Sequence, residues 1–120
     1  MIDAQLVERL NTLAPNMYPL KAPKNYEQPC VIYNLLHVDP VRSVDSGASD
    51  RAYLIYQIDV YDESYTKAST LAKAIRDDLV EWVSEDVQSV AWTGATQTID
   101  DTTEVALFRT MMTFLIFANV

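Results

Sequence analysis

His37 is the only histidine in the chain, so most routes to acid–base or metal chemistry run through one position. It sits in residues 30–38, an apolar run patterned as a strand, which points to a hydrogen-bonded structural histidine rather than a catalytic one. Ser43 or Ser46 with His37 and Asp45 supplies the residue types of a Ser–His–Asp triad, yet the serines lie in a polar loop and nothing resembles a nucleophile elbow. Zinc needs several His or Cys ligands, and the chain has one of each. Asp100, Asp101 and Glu104 offer oxygens to Mg²⁺ or Ca²⁺. Their spacing matches no known cation loop, and a solvated acidic turn accounts for them. The two glycines, Gly47 and Gly94, make no phosphate-binding loop. Cys30 has no partner for a disulfide and no basic neighbour in sequence to lower its pKa; it reads as a small buried hydrophobe. The expectation is a protein with no catalytic residues, no metal and no cofactor.

Tyrosine is the residue type left to explain, with seven copies. Tyr33, Tyr53, Tyr56 and Tyr61 fall on strand patterns, where a core ring with a bonded hydroxyl and a protein–protein contact are both open readings. Residues 51–62 separate the two. Leu54, Tyr56, Ile58 and Val60 line one face of an alternating strand, and Tyr53, Gln57, Asp59 and Tyr61 line the other with Ile55 among them. The second face is too apolar for open solvent, so Tyr53, Ile55 and Tyr61 are candidate interface residues.

The elements that must hold these residues follow from periodicity. Ile2, Leu6, Leu10 and Leu13 share a helical stripe that Pro15 ends. Residues 17–29 carry three prolines and read as an extended surface segment pinned by Tyr18 and Leu20. A strand over 30–38 stops at Asp39-Pro40, and residues 41–50 form a long polar loop. The strand over 51–62 switches to a helix at Asp62-Glu63-Ser64, where side-chain oxygens can cap orphan N–H groups. Ala68, Leu71, Ala72, Ile75, Leu79, Trp82 and Val83 form that helix's apolar stripe. Residues 87–99 read as a strand with a bulge at Gly94, residues 100–103 as a turn, and 107–118 as the last strand. The expected fold class is α+β: two antiparallel β-hairpins forming a sheet packed with two helices, in the order α-β-β-α-β-β, as one domain over residues 1–120.

Composition is ordinary for a globular chain of 120 residues, 49% hydrophobic and 22% charged. The net charge of −8 repels phosphate and disfavours binding along a nucleic-acid backbone. The N-terminus lacks the pattern of a signal peptide, and the apolar stretch 111–120 is too short to span a bilayer as a helix, so no membrane partner is expected. Reducing cytoplasm is the expected place of folding.

The chain resembles the tail-completion proteins of long-tailed bacteriophages, also called tail-to-head joining or tail terminator proteins. The resemblance rests on an ordered set of features. A short N-terminal helix is followed by Tyr18-Pro-Leu-Lys-Ala-Pro23 and then Pro29-Cys-Val-Ile-Tyr33. Gln57-Ile-Asp-Val-Tyr61 leads into Ser64-Tyr-Thr-Lys-Ala-Ser-Thr-Leu-Ala-Lys-Ala-Ile75, and the final strand has Arg109 near its start. The resemblance implies a virion structural protein: a subunit of a ring, commonly hexameric, at the head-proximal end of the tail. Such a ring caps the tail tube and joins it to the head connector or neck protein, and DNA passes through its centre without specific binding. It implies no catalytic residue. Asp45, Asp50, Asp100, Asp101 and Glu104 would then sit on docking loops or line the lumen, where like charge keeps DNA from adhering. The alternative from another class is a small soluble α+β ligand-binding or regulatory module.

Overall fold

A computed structural model describes residues 2–42, 50–101 and 105–120 of the chain. Seven elements follow one another: α1 (Asp3–Leu10), β1 (Met17–Pro19), β2 (Cys30–Pro40), β3 (Arg51–Asp62), α2 (Tyr65–Leu79), β4 (Val87–Asp100) and β5 (Leu107–Asn119). The strands make one sheet in the order β1-β2-β3-β5-β4, antiparallel throughout except that β1 runs parallel to β2. The class is α+β, as expected.

The expected pairs β2–β3 and β4–β5 are present, and β3–β5 pairing joins them into one sheet. Two details differ from the expectation. A fifth strand is added, because Met17, Tyr18 and Pro19 pair with Val31, Ile32 and Tyr33. The prolines keep this segment short and at the sheet's edge, where a missing N–H is tolerated. Both helical stripes also stop early. Leu13 lies in a turn beyond α1 and is 37% exposed, and Val83 lies beyond α2 and is 71% exposed. Pro15 disfavours helix in the residue before it. After Leu79 the chain bends so that Trp82 alone is tucked in.

The strand-to-helix switch is built as the sequence requires. Asp62 Oδ1 accepts from the Ser64 N–H at 2.8 Å, and Ser64 Oγ accepts from the Lys67 N–H at 3.3 Å, capping α2. From there Ala68, Ala72, Ile75 and Leu79 are laid on the sheet. With Leu6 and Leu10 of α1 they bury Leu54, Tyr56, Ile58 and Val60 of β3 and Met112, Phe114 and Ile116 of β5. Each large side chain so buried contributes about 1.5–3 kcal/mol. The Tyr56 hydroxyl donates to Asp3 Oδ1, fixing the start of α1 over the sheet's centre. Arg9 Nε reaches Asp78 at 2.8 Å and ties the two helices together. Both helices therefore lie on one face of the sheet.

Candidate assembly surface

Side chains alternate along each strand, so the register fixes the membership of the uncovered face. Tyr53 stands beside Phe117, Ile55 beside Leu115, Gln57 beside Thr113, Asp59 beside Met111 and Tyr61 beside Arg109. On the β2 side the same rungs bring in Asp39, His37, Asn34, Ile32 and Cys30. Tyr53 is 41% exposed and its ring stacks on Phe117 with centroids 4.7 Å apart. Ile32, Ile55, Met111, Leu115 and Phe117 are all half-buried. The face is apolar around Tyr53, Ile55, Leu115 and Phe117, and Asn34, Gln57 and Thr113 form a polar rung across its middle.

One end of it is polar and tightly bonded. Arg109 Nη2 lies 2.8 Å from Asp59 Oδ2, and the Gln57 amide donates to both oxygens of the same carboxylate at 3.2 Å. Asp59 is nearly buried, whereas the Arg109 side chain is 31% exposed. The guanidinium also lies 5.6 Å from the Tyr61 ring centroid, within cation–π range. Burial raises the Tyr61 hydroxyl pKa, the Arg109 charge opposes that rise, and Asp59 reinforces it. Cys30, under the same end, is buried, and desolvation pushes its thiol up to about 11.

Tyr53, Ile55 and Tyr61 thus share one face, and the structure adds Phe117, Leu115 and Met111 to them. Joining those residues to the β3 face required knowing that β3 and β5 are neighbours. His37 is on this face too, opposite Ile55, and is exposed rather than held in a buried, hydrogen-bonded position. The acidic loop residues are not brought together. Asp50 precedes the β3 end that pairs with Asn119, whereas Asp100 pairs with Leu107 at the opposite end of a molecule 57 Å long. Asp101 is exposed beside Asp100. Ser43, Asp45, Ser46 and Glu104 lie outside the described residues, so the Ser–His–Asp arrangement and the full carboxylate cluster do too. Among the described residues no group of three or more His, Cys, Asp or Glu side chains is placed to hold a metal. No helix among them is long and apolar enough to cross a membrane.

The inner face has one feature the sequence did not reveal. Beyond α2 it opens into a groove of about 370 Å³ lined by Ser69, Lys73, Arg76, Trp92, Gln97 and Thr110, among others. Arg76 lies 4.9 Å from the Trp92 ring centroid, and Gln97 bonds Ser69 at 3.0 Å.

Fold and surface together define a two-layer α+β protein with helices on one sheet face and an apolar second face left open. The chain belongs to the tail completion protein gp17 family, whose model matches residues 4–118. That is a family of phage tail structural proteins and not of enzymes. Among solved structures, the chain shares its fold with a chain of the virion of a native gene transfer agent particle. The TM-score is 0.67 at 17% identity, covering 98% of this chain and 87% of that one. A comparison with curated proteins gives no match.

Proposed function

We propose that residues 1–120 form a single domain that works as a ring-forming tail-completion, or tail terminator, subunit. In this reading the ring, of six copies by the family resemblance, sits in the virion at the head-proximal end of the tail and is assembled in the host cytoplasm. It caps the tail tube and joins it to the head connector or neck protein, while DNA passes through without specific binding. Family membership supports the tail role, and the similarity to a virion-particle chain fits it. The observation that carries the assembly role is the uncovered face: Tyr53, Ile55 and Tyr61 with Leu115 and Phe117 form an apolar surface that neither helix reaches. That face is buried against neighbouring particle components in the assembled tail. Asp50, Asp101 and Asp100 at the end of β4, with Asp45 and Glu104, belong to docking or lumen-facing segments.

The test is a Tyr53→Asp, Ile55→Asp variant. Both side chains lie outside the core, so the purified variant still folds, while particles made with it show unjoined heads and tails. Normal particles would refute the assignment of this face. Reversing the loop charges tests the lumen: unchanged DNA retention and ejection would refute that placement.

A further inference from the structure

The sheet has two open edges as well as an open face. β4 is an edge strand of fourteen residues, and Ser89, Ala91, Trp92 and Thr93 are exposed along it. Natural edge strands of this length are normally blunted by charge or proline. Residues 87–99 contain neither, and they are the longest run without Asp, Glu, Lys or Arg in a chain of net charge −8. At the other side, β1 covers only Val31, Ile32 and Tyr33 of β2, leaving residues 34–39 open. That segment is also uncharged until Asp39.

The two open edges match in three respects. First, they lie on the same rungs. Asn34 connects through Gln57 and Thr113 to Gly94, and Asp39 through Tyr53 and Phe117 to Ser89. Second, both edges bulge at the rung of Tyr56 and Phe114, after Leu35 on β2 and after Trp92 on β4. Third, their charged surroundings differ. Lys73 lines the groove beside β4, where Arg76 is paired with Asp77 at 3.0 Å. Asp39 ends the open stretch of β2, and Asp3 stands on the β2 side through its bond to Tyr56 and its influence on Tyr33. Strand direction agrees as well. β2 and β4 run oppositely within the sheet. A copy rotated about an axis along the strands therefore presents its β2 antiparallel to the first copy's β4, continuing the existing alternation.

We propose that residues 89–94 of β4 pair, strand to strand, with residues 34–39 of β2 in a second copy of this chain. The inference rests on the ring reading and specifies its subunit contact. Because the partner segments are level, the contact is head-to-tail without an axial step, the condition for a closed ring rather than a helical filament. Backbone pairing supplies the adhesion, and the uncharged strips let copies of like net charge meet.

The test uses Ala91 and His37, which share a rung and are both exposed. Purified tails carrying the double variant Ala91→Cys, His37→Cys are treated with a short bismaleimide and run under denaturing conditions. The expected result is a ladder of covalent multimers of this chain ending at one closed species, with neither single variant giving more than monomer. In parallel, Ser89→Lys, Ala91→Lys keeps the thermal midpoint but lowers the amount of chain on purified tails by about ten-fold or more. Incorporation at the normal level by the lysine variant, cross-links that stop at a dimer, or cross-links to another tail protein overturn the edge contact while leaving the ring reading in place. Absence of the wild-type chain from purified tails overturns both.

Discussion

Removing the Arg109 charge tests the physical account of the open face most directly. Asp59 has 8% of its side chain exposed and holds a carboxylate under that face, paired with Arg109 at 2.8 Å. Arg109→Met keeps the aliphatic stem beside Tyr61 and deletes the charge, leaving only the Gln57 amide on the carboxylate. Breaking a fully buried pair from one side costs about 3–5 kcal/mol, because the other charge stays desolvated. Arg109 is 31% exposed, so water can follow it in and the expected cost falls to about 2 kcal/mol. With an unfolding entropy of about 2.1 cal/mol/K per residue, this lowers the midpoint of a 120-residue chain by about 8 °C. Differential scanning calorimetry of the purified protein reads it. The double variant Asp59→Asn, Arg109→Met should regain more than half of the loss, since no uncompensated charge remains. A single variant within about 0.5 kcal/mol of wild type would show that solvent already reaches Asp59, and that the open face is wetter than its burial implies.

Three further outcomes follow from the same geometry. Ser64→Ala removes the α2 cap and should cost about 1 kcal/mol in denaturant unfolding with no change in slope. Tyr56→Phe deletes the hydroxyl that anchors Asp3 and should cost about 1–2 kcal/mol, with α1 amides exchanging faster than those of α2 in hydrogen exchange. The Cys30 thiol, raised from 9.0 to about 11 by burial, binds its proton more tightly in the folded state; the stability this brings is complete below pH 9 and is lost as pH rises toward 11. Alkylation at pH 8 should accordingly be slow until denaturant is added, and rapid labelling of the native protein would refute its burial.

Much of the fold was legible because it is written locally. Residues 51–79 carry a strand period, a capping Ser64 and a helix period in one unbroken stretch, and each became the element its pattern demanded. Gly94 marked a bulge because a glycine inside a strand pattern has few other reasons to be there. β1 was illegible since three residues cannot display a period and its pairing is with a strand eleven residues on. Leu36, the extra residue in the β2 bulge, has no local sign at all; an apolar residue in an apolar run looks the same paired or bulged. The candidate surface was half legible for a related reason. Tyr53, Ile55 and Tyr61 were separated from the core by alternation, but Phe117 and Leu115 joined them only through the β3–β5 pairing, which is a property of topology and not of either strand.

The open face and the open edges have a common origin in what the two helices can cover. α1 has eight residues and α2 fifteen, each with a single apolar stripe, and both stripes are spent on the inner face of β2, β3 and β5. A sheet covered on one side normally alternates apolar inward with polar outward. Here the outward positions Ile32, Tyr53, Ile55, Met111, Leu115 and Phe117 are apolar as well, and the outermost strand β4 lacks the charges that usually protect an edge. A monomer gains nothing from either choice, since both lower its solubility and neither adds to its core. The charge of −8 is the compensating term: it keeps free copies apart while leaving the uncharged strips and apolar face available to a neighbour presented in the right orientation. Two faults of the isolated chain, each costly alone, become complementary once copies are held side by side, and that is the physical sense in which this sequence is written for an assembly.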